Sequence, residues 1–97
     1  MSEQSFLVIA QDKQGAEDLR VQHREAHVAY LKKSHGHVQI DVGGPLTADD
    51  RHSAGTFLIV KAPDLASVEA FVAGDPFAAA GIFASVEIKP CKVTLRS

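Results

Sequence analysis

Two short runs constrain this chain most. Ser5–Gln11 reads SFLVIAQ and Thr56–Lys61 reads TFLIVK, and each puts apolar side chains on both faces of an extended segment. In the first, Phe6 and Val8 fall on one side and Leu7 and Ile9 on the other. A strand apolar on both faces has to be covered on both, so each run belongs in the middle of a sheet. His37–Val42 alternates instead, with Val38, Ile40 and Val42 opposite His37, Gln39 and Asp41. It reads as a half-exposed strand broken by Gly43-Gly44-Pro45-Leu46, with a polar loop over Thr47–Ser53. The last strand is expected from about Phe83 to Leu95. Its apolar phase changes around Pro90, which marks a bulge or bend on an edge strand.

Gly15 to His35 reads as one long helix with Lys32 and Lys33 near its end and Gly36 as the stop. A second helix opens at Pro63 or Asp64 and carries an apolar stripe of Leu65, Val68, Phe71 and Val72. Gly74 ends it. Asp75-Pro76 then looks like an N-cap followed by proline at the first helical position, starting one short turn. The order β-α-β-β-α-β predicts an α+β, ferredoxin-like fold. Its four-stranded antiparallel sheet has the first and third strands central and helices on one face. The opposite face keeps apolar side chains, which predicts a two-fold homodimer packed sheet against sheet.

With 97 residues the chain has room for one core, and residues 1–97 are expected to form a single domain. Net charge is −2 and the isoelectric point near 6.2. That balance gives no basic footprint for nucleic acid and no polybasic patch for a membrane surface. Neither a spanning apolar run nor a signal peptide is visible, and the single cysteine cannot form an internal disulfide, so a cytoplasmic protein is expected.

His27 carries the chemistry. On a helical wheel it shares an arc with Ala16, Leu19, Tyr30 and Leu31, the arc expected to face the core. A titratable ring there needs a polar partner or a task. Asp75 supplies a carboxylate if the fold brings the two together. From the residues alone His27 is equally a core histidine satisfied by one hydrogen bond, and Asp75 a plain helix cap. Arg24, one turn before His27, is either a solvated arginine or an anchor for an anionic oxygen. Tyr30 is expected in the core with its hydroxyl at the rim of a site. His23 and His27 have ligand spacing, but no zincin glutamate or third ligand accompanies them, so no metal is expected. Cys91 lacks any motif and reads as a small hydrophobe.

Several stretches together resemble the YciI-like family of the dimeric α/β-barrel group. They are Val8-Ile9-Ala10-Gln11-Asp12-Lys13, Arg24-x-x-His27 with Leu31 following, Gly43-Gly44-Pro45-Leu46, Gly55 before the third strand, Asp75-Pro76-Phe77-x-x-Ala80-Gly81 and Val86-x-Ile88-Lys89-Pro90. The resemblance implies a pocket between sheet and helices with a histidine/aspartate centre, carried here by His27 and Asp75. Around it, Arg24, Tyr30, Gly44, Pro45 and Phe77 are expected to contact a small-molecule substrate. One branch of the family resembles dehydrochlorinases of chlorinated hydroxyquinols, and muconolactone isomerase shares the broader fold. The chain departs from the commoner pattern in the polar loop after Leu46 and in having Cys91 where an aromatic residue often follows the proline.

The expectation is therefore cofactor-free acid/base chemistry on a small cyclic or aromatic metabolite, most concretely loss of HCl from a hydroxyquinol. The alternatives are a non-catalytic ligand-binding or accessory module, an isomerase of the muconolactone type, and haem- or metal-dependent oxygen chemistry.

Overall fold

The computed structural model describes residues 4–33, 35–49 and 52–96. Seven elements follow one another. They are β1 (Gln4–Asp12), α1 (Glu17–Lys32), β2 (Gln39–Thr47), β3 (Ser53–Ala62), α2 (Leu65–Ala73), α3 (Pro76–Ala79) and β4 (Phe83–Cys91). The strands form one antiparallel sheet in the order β2-β3-β1-β4. The two runs apolar on both faces are thus the central strands, and the fold is the α+β, ferredoxin-like arrangement.

Phe6, Val8 and Ala10 of β1 and Leu58, Val60 and Ala62 of β3 are buried, and their neighbours in sequence, Leu7, Ile9, Phe57 and Ile59, are half-buried. The main core is completed by Val38 and by Val68, Phe71 and Val72 of α2. A second cluster joins Ala16, Phe77 and Ile82. Burial of side chains such as these contributes about 1.5–3 kcal/mol each. Leu65, expected in the α2 stripe, is 44% exposed at the first turn of that helix.

The boundaries differ from the sequence reading in instructive places. Gly43-Gly44-Pro45-Leu46 does not break the second strand. It stays paired with β3 as far as Thr47 opposite Ser53. An edge strand tolerates proline because one side of its backbone needs no partner. The register shifts flank that stretch, one between Ile40 and Val42 and one between Leu46 and Thr47. Of the expected loop, Asp50 and Arg51 lie outside the described residues. α1 stops at Lys32 with Lys33 as its C-cap, so Gly36 (φ 63°) serves the turn between His35 and Val38 and does not end the helix. β4 ends at Cys91, and its register shift sits near its start, opposite Gln11 and Asp12, not at Pro90. Val93 and Leu95 therefore lie beyond the strand, with Leu95 90% exposed. The segment after β4 reaches the opposite edge, where the Arg96 guanidinium pairs with Asp41 of β2. That guanidinium holds the Asp41 carboxyl below its ordinary range.

Among the described residues no helix is long and apolar enough to cross a membrane.

Candidate active site

α1 places His27, and the junction of α2 and α3 places Asp75. Gly74 ends α2 with its N–H on the carbonyls of Ala70 and Phe71, and Asp75 follows in extended backbone as the N-cap of α3. Its Oδ1 accepts the Phe77 backbone N–H at 2.9 Å. The same carboxylate lies 2.8 and 2.9 Å, through Oδ1 and Oδ2, from His27 Nδ1. Both residues are buried, at 7% and 5% exposure. A carboxylate at this distance accepts, so Nδ1 carries the proton and the lone pair of the neutral ring sits on Nε2. Nε2 has no hydrogen bond, yet no buried side-chain nitrogen or oxygen among the described residues lacks a partner. Nε2 is therefore the ring atom that meets open space.

Phe77 fixes the ring plane. It stacks on His27 with centroids 3.8 Å apart and planes 4° from parallel. Edge and face of the imidazole are thus both held, one by charge and one by packing.

Sequence reasoning missed a second buried group. Arg20, seven residues before His27 and on the same face of α1, is 7% exposed. Its Nε donates to Asp12. Its Nη2 donates to the Gly55 carbonyl at 2.5 Å and to Thr56 Oγ1 at 2.8 Å. The guanidinium also lies 4.8 Å from the centre of the Phe77 ring, within cation–π range. Nη1 alone has no protein acceptor, and it is not sealed off either. The arginine is locked by four groups and presents one nitrogen outward. Gly55 also lets β3 lie close against β1, because a Cβ there would stand 2.3 Å from the Ala10 carbonyl oxygen. The available signal was a polar residue at stripe spacing. The expected arc instead used Leu19, which is 38% exposed.

Both groups border one cavity of about 470 Å³ between α1 and the β2–β3 side of the sheet. α1 lines it with Arg20, Arg24, His27, Val28, Leu31 and Lys32. The floor comes from Ile40, Gly43, Gly44 and Pro45 of β2 and Ser53, Thr56 and Leu58 of β3, and Phe77 closes one wall. At Gly43 a Cβ would come within 2.4 Å of a Leu58 methyl, so bare backbone keeps β2 seated there. Of the expected contact residues, Arg24, Gly44, Pro45 and Phe77 line the cavity. Tyr30 does not. Its hydroxyl donates to the Phe71 carbonyl at 2.7 Å, and its ring packs on Phe71 and His35. Burial, and then the negative charge of Asp75, push that hydroxyl above its ordinary pKa. Among the described residues no carboxylate borders the cavity: Asp75 sits behind His27 and Asp12 behind Arg20. Among the described residues no three His, Cys, Asp or Glu side chains converge as metal ligands.

A polarised imidazole beside a fixed guanidinium can move a proton on a ligand whose oxygen the arginine holds. Comparison with known proteins gives the family. Residues 5–92 match the model of the YCII-related domain. The chain belongs to the YCII-related family. Protein YciI of Escherichia coli is 30% identical over 93 residues, covering 90% of this chain and 95% of its own. An uncharacterized protein of Haemophilus influenzae matches with the same identity and coverage. Among solved structures, this YCII-related chain resembles the 5-chloro-2-hydroxyhydroquinone dehydrochlorinase of Burkholderia phenoliruptrix in complex with 2,5-dihydroxybenzoquinone. The TM-score is 0.80 at 35% identity, over 91% of this chain and 93% of that one. A Pseudomonas aeruginosa protein shares the fold at TM-score 0.58 and 15% identity, over 98% and 97% of the two chains.

Proposed function

We propose that this chain is a small enzyme that performs cofactor-free acid/base chemistry on a cyclic or aromatic metabolite. Its most concrete reaction is loss of HCl from a chlorinated hydroxyquinol. The observation that carries this reading is the His27 ring, bound at Nδ1 by the buried Asp75 carboxylate and open to the cavity at Nε2. Likeness to a dehydrochlorinase over nine-tenths of both chains supports the choice of reaction.

In this reading Arg20 Nη1 holds one ring oxygen as its charge grows, and Nε2 of His27 takes the proton from a hydroxyl. The released electron density moves into the ring, and His27 returns the proton to the carbon that bears chlorine. His27, neutral again, then takes a second hydroxyl proton as chloride leaves with the C–Cl electron pair. The sum is substrate minus HCl, a hydroxybenzoquinone, and no oxidant is consumed. Asp75 stabilises the imidazolium formed midway and keeps the tautomer correct, as the aspartate of a hydrolase triad does. Asp12 keeps Arg20 oriented without reaching the substrate.

The active form is a homodimer in this reading. Leu7, Ile9, Phe57 and Ile59 lie on the sheet face opposite the buried Phe6 and Val8 and stay half-buried in one chain. A second copy of that face would cover them. The lone Cys91 suits a reducing, cytoplasmic setting.

The test is turnover of 5-chloro-2-hydroxyhydroquinone, followed by chloride release and quinone absorbance. His27→Ala is expected to lose activity about 10²- to 10⁴-fold while keeping the wild-type circular dichroism and dimer mass. Stabilisation by 2,5-dihydroxybenzoquinone without turnover in the wild type would instead support a binding module.

A further inference from the structure

We propose that the cavity accepts a ring compound bearing a carboxylate arm, and that Arg24 and Lys32 form the site for that arm. The inference rests on the acid/base reading of His27 and deepens it by naming the substrate class. It begins with a charge imbalance. Among the described residues three cations border the cavity and no carboxylate does. Arg20 is matched by Asp12. Arg24 and Lys32 are exposed, and among the described residues neither has an ion pair or hydrogen bond. Two unmatched cations flanking one opening draw an anion toward it.

Their placement fits a substituent better than the reacting ring. Both project from α1 on either side of His27, roughly 12 Å apart along the axis at 1.5 Å per residue. Both are exposed, whereas His27 and Arg20, which line the same cavity, are buried. Val28 and Leu31 sit between them on the same helix and offer an apolar wall to a ring. Size agrees. The cavity of about 470 Å³ equals roughly sixteen waters at about 30 Å³ each, while a chlorinated hydroxyquinol has only ten heavy atoms. A ring placed against His27 leaves room toward the exposed cations.

The experiment is a calorimetric titration of the full chain with three probes: 2,5-dihydroxybenzoquinone, 2,5-dihydroxyphenylacetate and the methyl ester of the latter. The acid is expected to bind at least tenfold more tightly than its ester. That preference should disappear in the R24Q/K32Q double variant, whose ester affinity stays within twofold of wild type, and should shrink between 50 and 300 mM salt. Both substitutions fall on exposed positions, so thermal melts should match wild type. Equal affinity for acid and ester, or a preference that survives in the double variant, overturns the proposal. If 2,5-dihydroxybenzoquinone binds while the acid shows no advantage, only the carboxylate site is refuted. If none of the three binds, the enzyme reading falls with it.

Discussion

Asp64 and Asp75 have the same local task and different fates. Each sits in extended backbone just before a helix and accepts a backbone N–H as its cap: Ser67 at 2.8 Å for Asp64, Phe77 at 2.9 Å for Asp75. Asp64 is exposed, and it also accepts the Ser67 hydroxyl at 2.7 Å. Asp75 is buried, so protein has to meet the demand that water meets at Asp64, and His27 does so with its ring N–H. A cap at the surface shapes a turn. The same cap in the interior becomes a charge that orients a neighbouring ring.

The sharpest way to break this comparison is to remove the charge and keep the cap. Asp75→Asn retains a side-chain oxygen for the Phe77 N–H but loses the carboxylate facing Nδ1. Turnover should fall about 10²- to 10⁴-fold, with circular dichroism unchanged. A loss below tenfold would make Asp75 no more than a second Asp64. Next in size is Arg20→Met, which strands the Asp12 carboxylate in a buried position and should cost about 3–5 kcal/mol in urea unfolding. Arg20→Lys keeps the charge but cannot span Asp12, Gly55 and Thr56 together, so it should raise KM more than it lowers stability. Phe77→Leu preserves most of the buried volume and should cost about 1.5 kcal/mol. Because it removes the stacked face against His27, kcat should drop further than the melting temperature suggests.

The smallest effect belongs to Asp64. Asp64→Ala should lower the melting temperature by a few degrees and leave turnover at wild-type level. Hydrogen bonds from the Ser67 hydroxyl and N–H hold its carboxyl below the ordinary range in the folded chain. Its contribution to stability is therefore complete above the ordinary carboxylate value and fades as pH falls through the lowered one. Thermal melts from pH 6 to pH 2 should show the gap between wild type and Asp64→Ala closing in acid.

The sequence reading succeeded where one residue's pattern decides its environment. SFLVIAQ and TFLIVK had to be central because no edge position hides two apolar faces. Asp75-Pro76 had to begin a turn of helix because a capping carboxylate and a fixed proline φ both favour it. It failed where the environment depends on groups distant in sequence. Arg20 is not singled out in the sequence, because its burial depends on Asp12, Gly55 and Thr56 converging on it. Tyr30 shares a wheel arc with His27, yet α2 captures its hydroxyl through Phe71. Gly43-Gly44-Pro45 reads as a break because local propensity favours turns, and pairing with β3 overrides that propensity.

Each margin of the sheet carries a proline, Pro45 on β2 and Pro90 on β4. A proline has no N–H to offer an incoming strand, so neither border presents an unbroken row of donors. Concentrated or partly unfolded material therefore has poor footing for strand-by-strand growth into fibrils, and this small chain tolerates a half-apolar sheet without an adhesive rim.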